Sequence, residues 1–160
     1  MTNLPVAALI GVFALAFASG CASTRQHVPL PSQSRTVENP AKCRIYVFRP
    51  EAMLGGIAKM KIMDGGMVIG DLGMRSYLCW ERDPGPATVF MDFYTSDDMI
   101  VNMREDLDAQ RGVVYYLQAG LLTMNPYSSD TNKLDRLFRL SDEEGKRLLQ
   151  TCKPPPRASP

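Results

Sequence analysis

From residue 42 onward, short apolar runs alternate with turn residues, and this spacing constrains the fold more than any other feature. Runs of this length favour strands over helices, and regular turn signals between them are typical of antiparallel sheets. Candidate strands cover residues 43–49, 58–63, 66–71, 75–81, 87–94, 99–105 and 113–119, with a further candidate at 134–140. The sequence therefore predicts a mainly β domain over residues 42–152, an antiparallel β-sandwich of about seven to eight strands.

Local turn and cap signals complete this prediction. Asp64-Gly65 favours a tight hairpin, because such turns need a positive φ that glycine supplies at little cost. Ser141 followed by Glu144 forms a capping box, which predicts one short C-terminal helix to about residue 150. Residues 153–160, KPPPRASP, cannot continue that helix, so we expect a disordered Pro-rich tail.

The first twenty residues form a separate segment, because they carry no charged side chain. Their apolar run, residues 4–18, is shorter than the roughly 20 residues of a membrane-spanning helix and fits a secretory signal peptide. Small residues follow it, and then Cys21. This order resembles the bacterial lipobox, which implies cleavage between Gly20 and Cys21 and acylation of Cys21. An uncleaved anchor and an ordinary secretory signal are the alternatives.

The lipobox resemblance also implies a location. Ala22 follows the cysteine, and in such signals a residue other than Asp implies the outer membrane, with the domain facing the periplasm. Residues 21–41 contain three prolines and several Ser and Thr residues, which predicts a flexible tether between the lipid and the domain. His27 lies in this segment, and we interpret it as a solvated side chain.

The domain itself carries a family resemblance, in motifs that occur in order along residues 42–150. They are Ile45-Tyr46-Val47-Phe48-Arg49-Pro50, Met63-Asp64-Gly65, Val68-Ile69-Gly70, Tyr77 before a Pro-Gly turn, Gly112-Val113-Val114-Tyr115-Tyr116-Leu117, Glu144-Gly145 and Leu148-Leu149. This pattern resembles a small uncharacterised domain of bacterial lipoproteins, and it is similar to PEGA-type surface modules. The resemblance implies a β-sandwich in the cell envelope and supplies no catalytic residues.

Composition excludes some functions and leaves others open. The formal net charge of +1 gives no basic excess for nucleic acid. Since the chain has one histidine, nucleophilic triads lack a base, and a cell-wall hydrolase would have to use the carboxylates Asp97, Asp98, Glu105, Asp106 and Asp108. We interpret Asp97 and Asp98 as solvated residues of a hairpin turn.

The ten methionines raise the alternative of Cu(I) binding, since thioethers are soft ligands. Met60 and Met63 have opposite strand parity, however, so we interpret the methionines as core residues and predict no metal or cofactor.

Tyr115, Tyr116 and Trp80 raise the alternative of an aromatic recognition surface. Tyr115 and Tyr116 point to opposite faces of one strand, so at most one of their rings is exposed, and we interpret these aromatic residues as core residues.

Three further cysteines remain after Cys21, and an oxidising compartment would favour a disulfide. Cys43 opens the first strand and Cys152 follows the helix, so we predict a Cys43–Cys152 bond that joins the two ends of the domain. Cys79 is then a buried free thiol, and Cys79–Cys152 is the rival pairing. Together these features predict a lipid-anchored, non-catalytic envelope protein that binds or supports another envelope component.

Overall fold

The structure is a computed structural model that describes residues 23–33, 37–50, 60–94, 100–121 and 135–156. The described strands and helix are β1 Arg25–Gln26, β2 Cys43–Arg49, β3 Met60–Asp64, β4 Met67–Leu72, β5 Ser76–Arg82, β6 Gly85–Tyr94, β7 Ile100–Ala109, β8 Val114–Leu121, β9 Asp135–Arg139 and α1 Asp142–Thr151. The eight strands and the helix that the sequence predicts are confirmed, within a few residues at their ends. Among the described strands, β1 is the one that the sequence does not predict.

The strands form two sheets, which confirms the β-sandwich. The five-stranded sheet has the order β1-β4-β3-β6-β7, and the four-stranded sheet has the order β5-β2-β8-β9. The pairs are antiparallel except for β2 and β8, which are parallel. A parallel pair needs a long crossover, and here the chain passes through both sheets between β2 and β8.

The main core lies between the two sheets. It contains buried residues from β2 to β9, listed here as Cys43, Ile45, Val47, Met60, Ile62, Ile69, Leu72, Leu78, Trp80, Ala87, Val89, Met91, Met103, Leu107, Ala109, Tyr115, Leu117, Ala119 and Leu137. Three methionines of this set fill the core as predicted, but the prediction is wrong for Met67 in β4, which is 52% exposed. In β2 all seven residues are buried, because other parts of the chain cover both faces of this strand.

The hairpin between β3 and β4 forms where the sequence predicts it. Asp64 pairs with Met67, and the two residues between them, Gly65 and Gly66, have φ values of +55° and +88°. Two consecutive positive φ values are those of a type I′ turn, whose twist matches that of the flanking strands. The two glycines therefore permit the tight turn of this hairpin.

Helix α1 begins with the predicted capping box. The Glu144 backbone N–H donates to Ser141 Oγ at 3.3 Å, and the Ser141 N–H donates to the Glu144 carboxylate at 3.0 Å. Leu148 and Leu149 are partly buried and pack against the outer face of the four-stranded sheet. Gly145 is buried against the ring of Tyr116, which lets the helix approach β8 closely.

The tether prediction is wrong for residues 23–33, which we call the strap. β1 in this segment pairs with β4, and the His27 N–H donates to the Ile69 carbonyl at 2.8 Å. The Gln26 amide bonds both the carbonyl (2.8 Å) and the N–H (3.0 Å) of Cys79. At Gly70 an added Cβ would lie 2.3 Å from the Arg25 carbonyl oxygen, so glycine permits this close approach.

The disordered-tail prediction is wrong for residues 153–156. The Lys153 N–H donates to the Arg75 carbonyl at 2.7 Å, and the Lys153 carbonyl accepts from the Tyr77 N–H at 3.1 Å. Lys153 thereby forms a parallel bridge with Ser76, and Pro155 is buried. Proline ends the helix, but it does not prevent the chain from continuing as an extended segment along a sheet edge.

Candidate functional site

The outer face of the four-stranded sheet carries a second hydrophobic layer, which we call the outer cluster. Its buried members are Tyr46, Phe48, Tyr77, Cys79, Tyr116 and Cys152. Strand alternation explains this layer, since even-numbered residues of β2 point away from the main core. The rings of Tyr46 and Tyr116 stack with centroids 5.5 Å apart, and Tyr46 contacts Tyr77 edge-on at 5.6 Å. Helix α1 and the strap cover the layer.

A pocket of about 530 Å³ opens between these two covering segments. The strap contributes one residue, the sheet contributes five residues including three tyrosines, and helix α1 contributes three. The full lining is Gln33, Arg44, Tyr46, Tyr77, Val114, Tyr116, Lys146, Leu149 and Gln150. Its volume lies within the range of small-molecule sites, so we take this tyrosine pocket as the candidate functional site.

Arg44 forms part of the pocket floor although only 1% of it is exposed. Its Nη2 and Nε donate to Glu81 at 2.8 and 3.2 Å, and its Nη1 donates to the Tyr46 hydroxyl at 3.4 Å. Glu81 also accepts from the backbone N–H groups of Glu38 and Asn39, at 2.6 and 3.3 Å. Burial acts to raise the pKa of Glu81, but these hydrogen bonds outweigh it and leave that pKa below its usual value.

The second cation of the lining, Lys146, also has a carboxylate partner. Its Nζ forms an ion pair with Asp142 one helical turn earlier. On the opposite wall the Tyr77 hydroxyl donates to the Gln33 side-chain carbonyl at 2.7 Å. The pocket therefore combines aromatic surface with amide and hydroxyl groups, and each of its two cations is compensated.

The tyrosines of the pocket are neutral at ordinary pH. Burial raises the pKa of Tyr77 to about 12, and burial also holds the pKa values of Tyr46 and Tyr116 above the usual tyrosine range. Each phenol therefore keeps its proton and can donate a hydrogen bond. Chemically, the described lining is suited to binding a ligand through hydrogen bonds and ring contacts.

Burial in the outer cluster predicts sensitivity to alkali. The pKa of the Cys79 thiol is raised from 9.0 to about 12 by burial, so folding favours its protonated form. This stabilisation is complete below about pH 9 and is lost as pH rises toward 12, at about 1.4 kcal/mol per pH unit for one proton. Urea denaturation under reducing conditions at pH 7, 9 and 10.5 should show it.

The matched control for this prediction is Cys79→Ala, which removes the thiol and keeps the tyrosines. The variant should lose less stability than the wild type between pH 9 and 10.5, because only the contributions of the tyrosines and of Cys43 and Cys152, whose pKa values burial also raises, remain. If the wild type and Cys79→Ala lose the same free energy of unfolding between pH 9 and 10.5, the alkaline destabilisation does not come from Cys79.

The predicted Cys43–Cys152 disulfide is wrong, since Cys43, Cys79 and Cys152 are all buried free thiols. Cys43 pairs with Arg82 at one end of β5, whereas the Lys153–Ser76 bridge sets Cys152 near the other end. Along β5 these two positions are seven residues apart, which is roughly 20 Å. The two thiols also lie on opposite faces of the sheet.

The rival pairing of Cys79 with Cys152 fails for a related reason. Both thiols belong to the outer cluster, but Cys152 lies level with Arg75, four strand positions from Cys79. That separation is roughly 13 Å, and a disulfide needs Cα atoms within about 7 Å. Cys79 is a buried free thiol, as predicted from the sequence.

The other candidate groups from the sequence do not converge. Asp106 and Asp108 are exposed on the outer face of the five-stranded sheet, where Asp106 accepts from Thr88 at 2.7 Å and pairs with Arg104. Glu105 alternates to the opposite face, and burial raises its pKa. The described carboxylates are thus divided between the two faces of β7 and do not converge on one site.

Met60 is buried in the main core, whereas Met63 is partly exposed on the other face of β3, as their parity predicts. Among the described residues, no group of three or more His, Cys, Asp or Glu side chains is arranged to hold a metal ion. His27 lies 3.9 Å from Asp71 with 39% of its side chain exposed, which fits a solvated residue.

Several predicted sites lie outside the described residues: Gly20, Cys21, Asp97 and Asp98. Within the part of the chain that the structure describes, α1 is too short and polar to cross a membrane, and no other helix is a candidate span.

Comparison with known proteins adds no family assignment. No family model matches the chain, and the search of curated proteins found no match. The resemblance to a lipoprotein domain therefore stays a prediction.

Sequence reasoning did not find the tyrosine pocket. Its lining comes from four regions of the chain, around residues 33, 44–46, 114–116 and 146–150, together with Tyr77. One signal was present: Arg44 directly precedes the apolar run 45–48, and a charge in that position is buried only when a partner compensates it.

Proposed function

We propose that this chain is a lipid-anchored, non-catalytic protein of the bacterial cell envelope that binds another envelope component in the tyrosine pocket. The observation that carries the binding function is the pocket itself, with its aromatic floor and compensated cations. Support for the envelope location comes from the apolar N-terminal segment that ends at Cys21. The outer membrane is the proposed membrane, with the domain facing the periplasm.

The pocket chemistry favours an uncharged ligand group rich in hydroxyl and amide functions. Arg44 and Lys146 each have a carboxylate partner, so an anionic ligand would have to compete with Glu81 and Asp142. Neutral phenols, Gln33 and Gln150 supply donors and acceptors, and the ring edges supply apolar contact. A sugar unit of the cell envelope or a neutral peptide segment has this chemistry.

The anchor is tested by Cys21→Ser. Without the thiol no lipid can be attached, so the variant should leave the membrane fraction or accumulate as an uncleaved precursor. Fractionation of cells and the mass of the purified chain measure both outcomes. Ser23→Ala is the control and should stay membrane-bound. A Cys21→Ser protein that is cleaved normally and still sediments with membranes would contradict the anchor.

The binding site is tested by in-cell photo-crosslinking. A crosslinking amino acid at Gln150, on the exposed rim of the pocket, should give an adduct. The same group at Arg104, exposed on the other sheet, should give none. Filling the pocket by Val114→Phe should abolish the Gln150 adduct, and urea denaturation would verify that the variant folds.

Gln33→Ala provides a second variant, because it removes the strap's contribution to the pocket wall without adding bulk. We expect a weaker Gln150 adduct in this variant. Adducts of equal yield from Gln150 and Arg104, or an adduct that survives both pocket variants, would overturn the assignment of the pocket as the binding site.

A further inference from the structure

The strap is fixed to the domain from its first described residues. The Gly73 N–H donates to Thr24 Oγ1 at 2.9 Å, and the same hydroxyl contacts Ser76 Oγ. Immediately after Thr24, Arg25 and Gln26 pair with Asp71 and Gly70 of β4. The chain is therefore bound to the sandwich from Thr24 onward.

The contacts further along the strap reach both sheets. Gln26 belongs to the five-stranded sheet through β1, yet its side chain bonds the backbone of Cys79 in the four-stranded sheet. Val28 packs against the main core and Leu30 packs against the outer cluster. Release of the strap would expose this apolar surface and break these hydrogen bonds, so the strap does not act as a loose linker.

Only a short connector remains between the strap and the lipidation site. Thr24 lies three residues after Cys21, and three fully extended residues span at most about 11 Å. The end of the sandwich that holds Thr24 also contains Ser76 at the start of β5 and Arg49 at the end of β2, which face each other in register. We call it the connector end.

We infer that the connector end faces the bilayer surface, and that anionic lipid headgroups are its partner. The inference rests on the proposed lipid anchor at Cys21. It follows from the reach of the connector, because acyl chains inserted in the bilayer would hold Thr24 within about 11 Å of the headgroup region. The connector end of the domain then lies close to the bilayer surface, and no long linker separates the two.

Charge at the connector end supports a lipid partner. Arg25, Arg75 and Lys153 are exposed there, and Asp71 lies across from Arg25. Unscreened attraction between charges extends about 8 Å at physiological ionic strength, which is comparable to the reach of the connector. Basic side chains held at this distance attract anionic headgroups.

The opposite end of the sandwich is far from the membrane in this arrangement. Strand β6 has ten residues and spans roughly 33 Å between the two ends. Arg111 is exposed at that opposite end, next to Gly112, whose N–H donates to the Lys42 carbonyl. Lys153 and Arg111 therefore form a matched pair of positions, one near the lipid and one remote from it.

The test uses the full chain in cells, with a photo-crosslinking amino acid at Lys153 or at Arg111. Mass spectrometry of the purified protein should find phospholipid adducts at Lys153 and only background at Arg111. A long Gly-Ser linker inserted between Ala22 and Ser23 should reduce the Lys153 adduct to background while the protein stays in the membrane fraction.

The outcomes separate this inference from the proposed anchor. A membrane-bound protein with equal lipid adducts at the two positions would overturn the orientation and leave the anchor intact. A Lys153 adduct that persists with the long linker would overturn the role of the connector. Wild-type protein recovered in the soluble fraction would overturn the anchor and this inference together.

Discussion

The substitution Gly145→Ala should lower the free energy of unfolding by about 3 kcal/mol, which is the upper part of the usual range for overpacking. An added Cβ would lie 2.1 Å from Cγ of Tyr116 and 2.5 Å from its two Cδ atoms. The ring cannot yield easily, because it stacks on Tyr46 and is almost fully buried. Urea denaturation followed by circular dichroism measures the loss.

The sign of this effect is diagnostic. In an exposed helix, Gly→Ala stabilises by about 1 kcal/mol, since alanine has the higher helix propensity. A gain in stability at Gly145 would therefore contradict the close contact between α1 and β8. Arg147→Ala, on the exposed face of the same helix, is the control and should change stability little.

A double-mutant cycle locates the clash. Tyr116→Ala alone should destabilise the outer cluster by removing a buried ring. In that background Gly145→Ala should be tolerated, because the atoms that its Cβ would meet are gone. Additive losses from the two substitutions would show that the Gly145 effect arises elsewhere.

The sequence predicts elements whose signals are local. Strand positions follow from alternation, the β3–β4 turn follows from Asp64-Gly65, and the helix start follows from Ser141 and Glu144. Each of these depends on residues within a few positions of one another. For that reason the structure confirms them with small shifts at the ends.

Features that depend on distant residues were missed or wrong. The strap resembles a tether in composition, but Gln26 bonds Cys79, which lies 53 positions away. The disulfide prediction assumed that the domain ends meet, whereas the register of β2 with β5 separates Cys43 from the level of Cys152. Register and strap docking are tertiary properties, so composition and spacing do not determine them.

The tyrosine pocket shows the same limit at the candidate site. Strand parity predicts that Tyr115 and Tyr116 point to opposite faces, and they do. Parity does not reveal that α1 and the strap cover the outer face and leave a pocket between them. The parallel pairing of β2 with β8, which sets Arg44 beside Val114 in the pocket floor, also lies beyond local patterns.

The second large effect is expected for Asp64→Ala, which should cost about 3–4 kcal/mol, as for breaking other buried charge pairs. Asp64 is buried at the end of β3 and accepts from the indole N–H of Trp80 at 2.8 Å and from Arg82 at 2.5 Å. Removing the carboxylate leaves the buried indole N–H without an acceptor. Trp80 is the only tryptophan, so its fluorescence during urea denaturation reports directly on this site.

Asp64→Asn separates the hydrogen bond from the charge. Its side-chain carbonyl can still accept from Trp80, so the loss should be about half that of the alanine variant. Arg82→Gln should cost least, because the Arg82 side chain is 23% exposed and water replaces part of its interaction. If Asp64→Ala and Arg82→Gln destabilise equally, the indole hydrogen bond contributes little and the ion pair carries the effect. We therefore expect the loss of stability to be largest for Asp64→Ala, smaller for Asp64→Asn and smallest for Arg82→Gln. This order follows from burial, because the indole N–H has no access to water, whereas the guanidinium does.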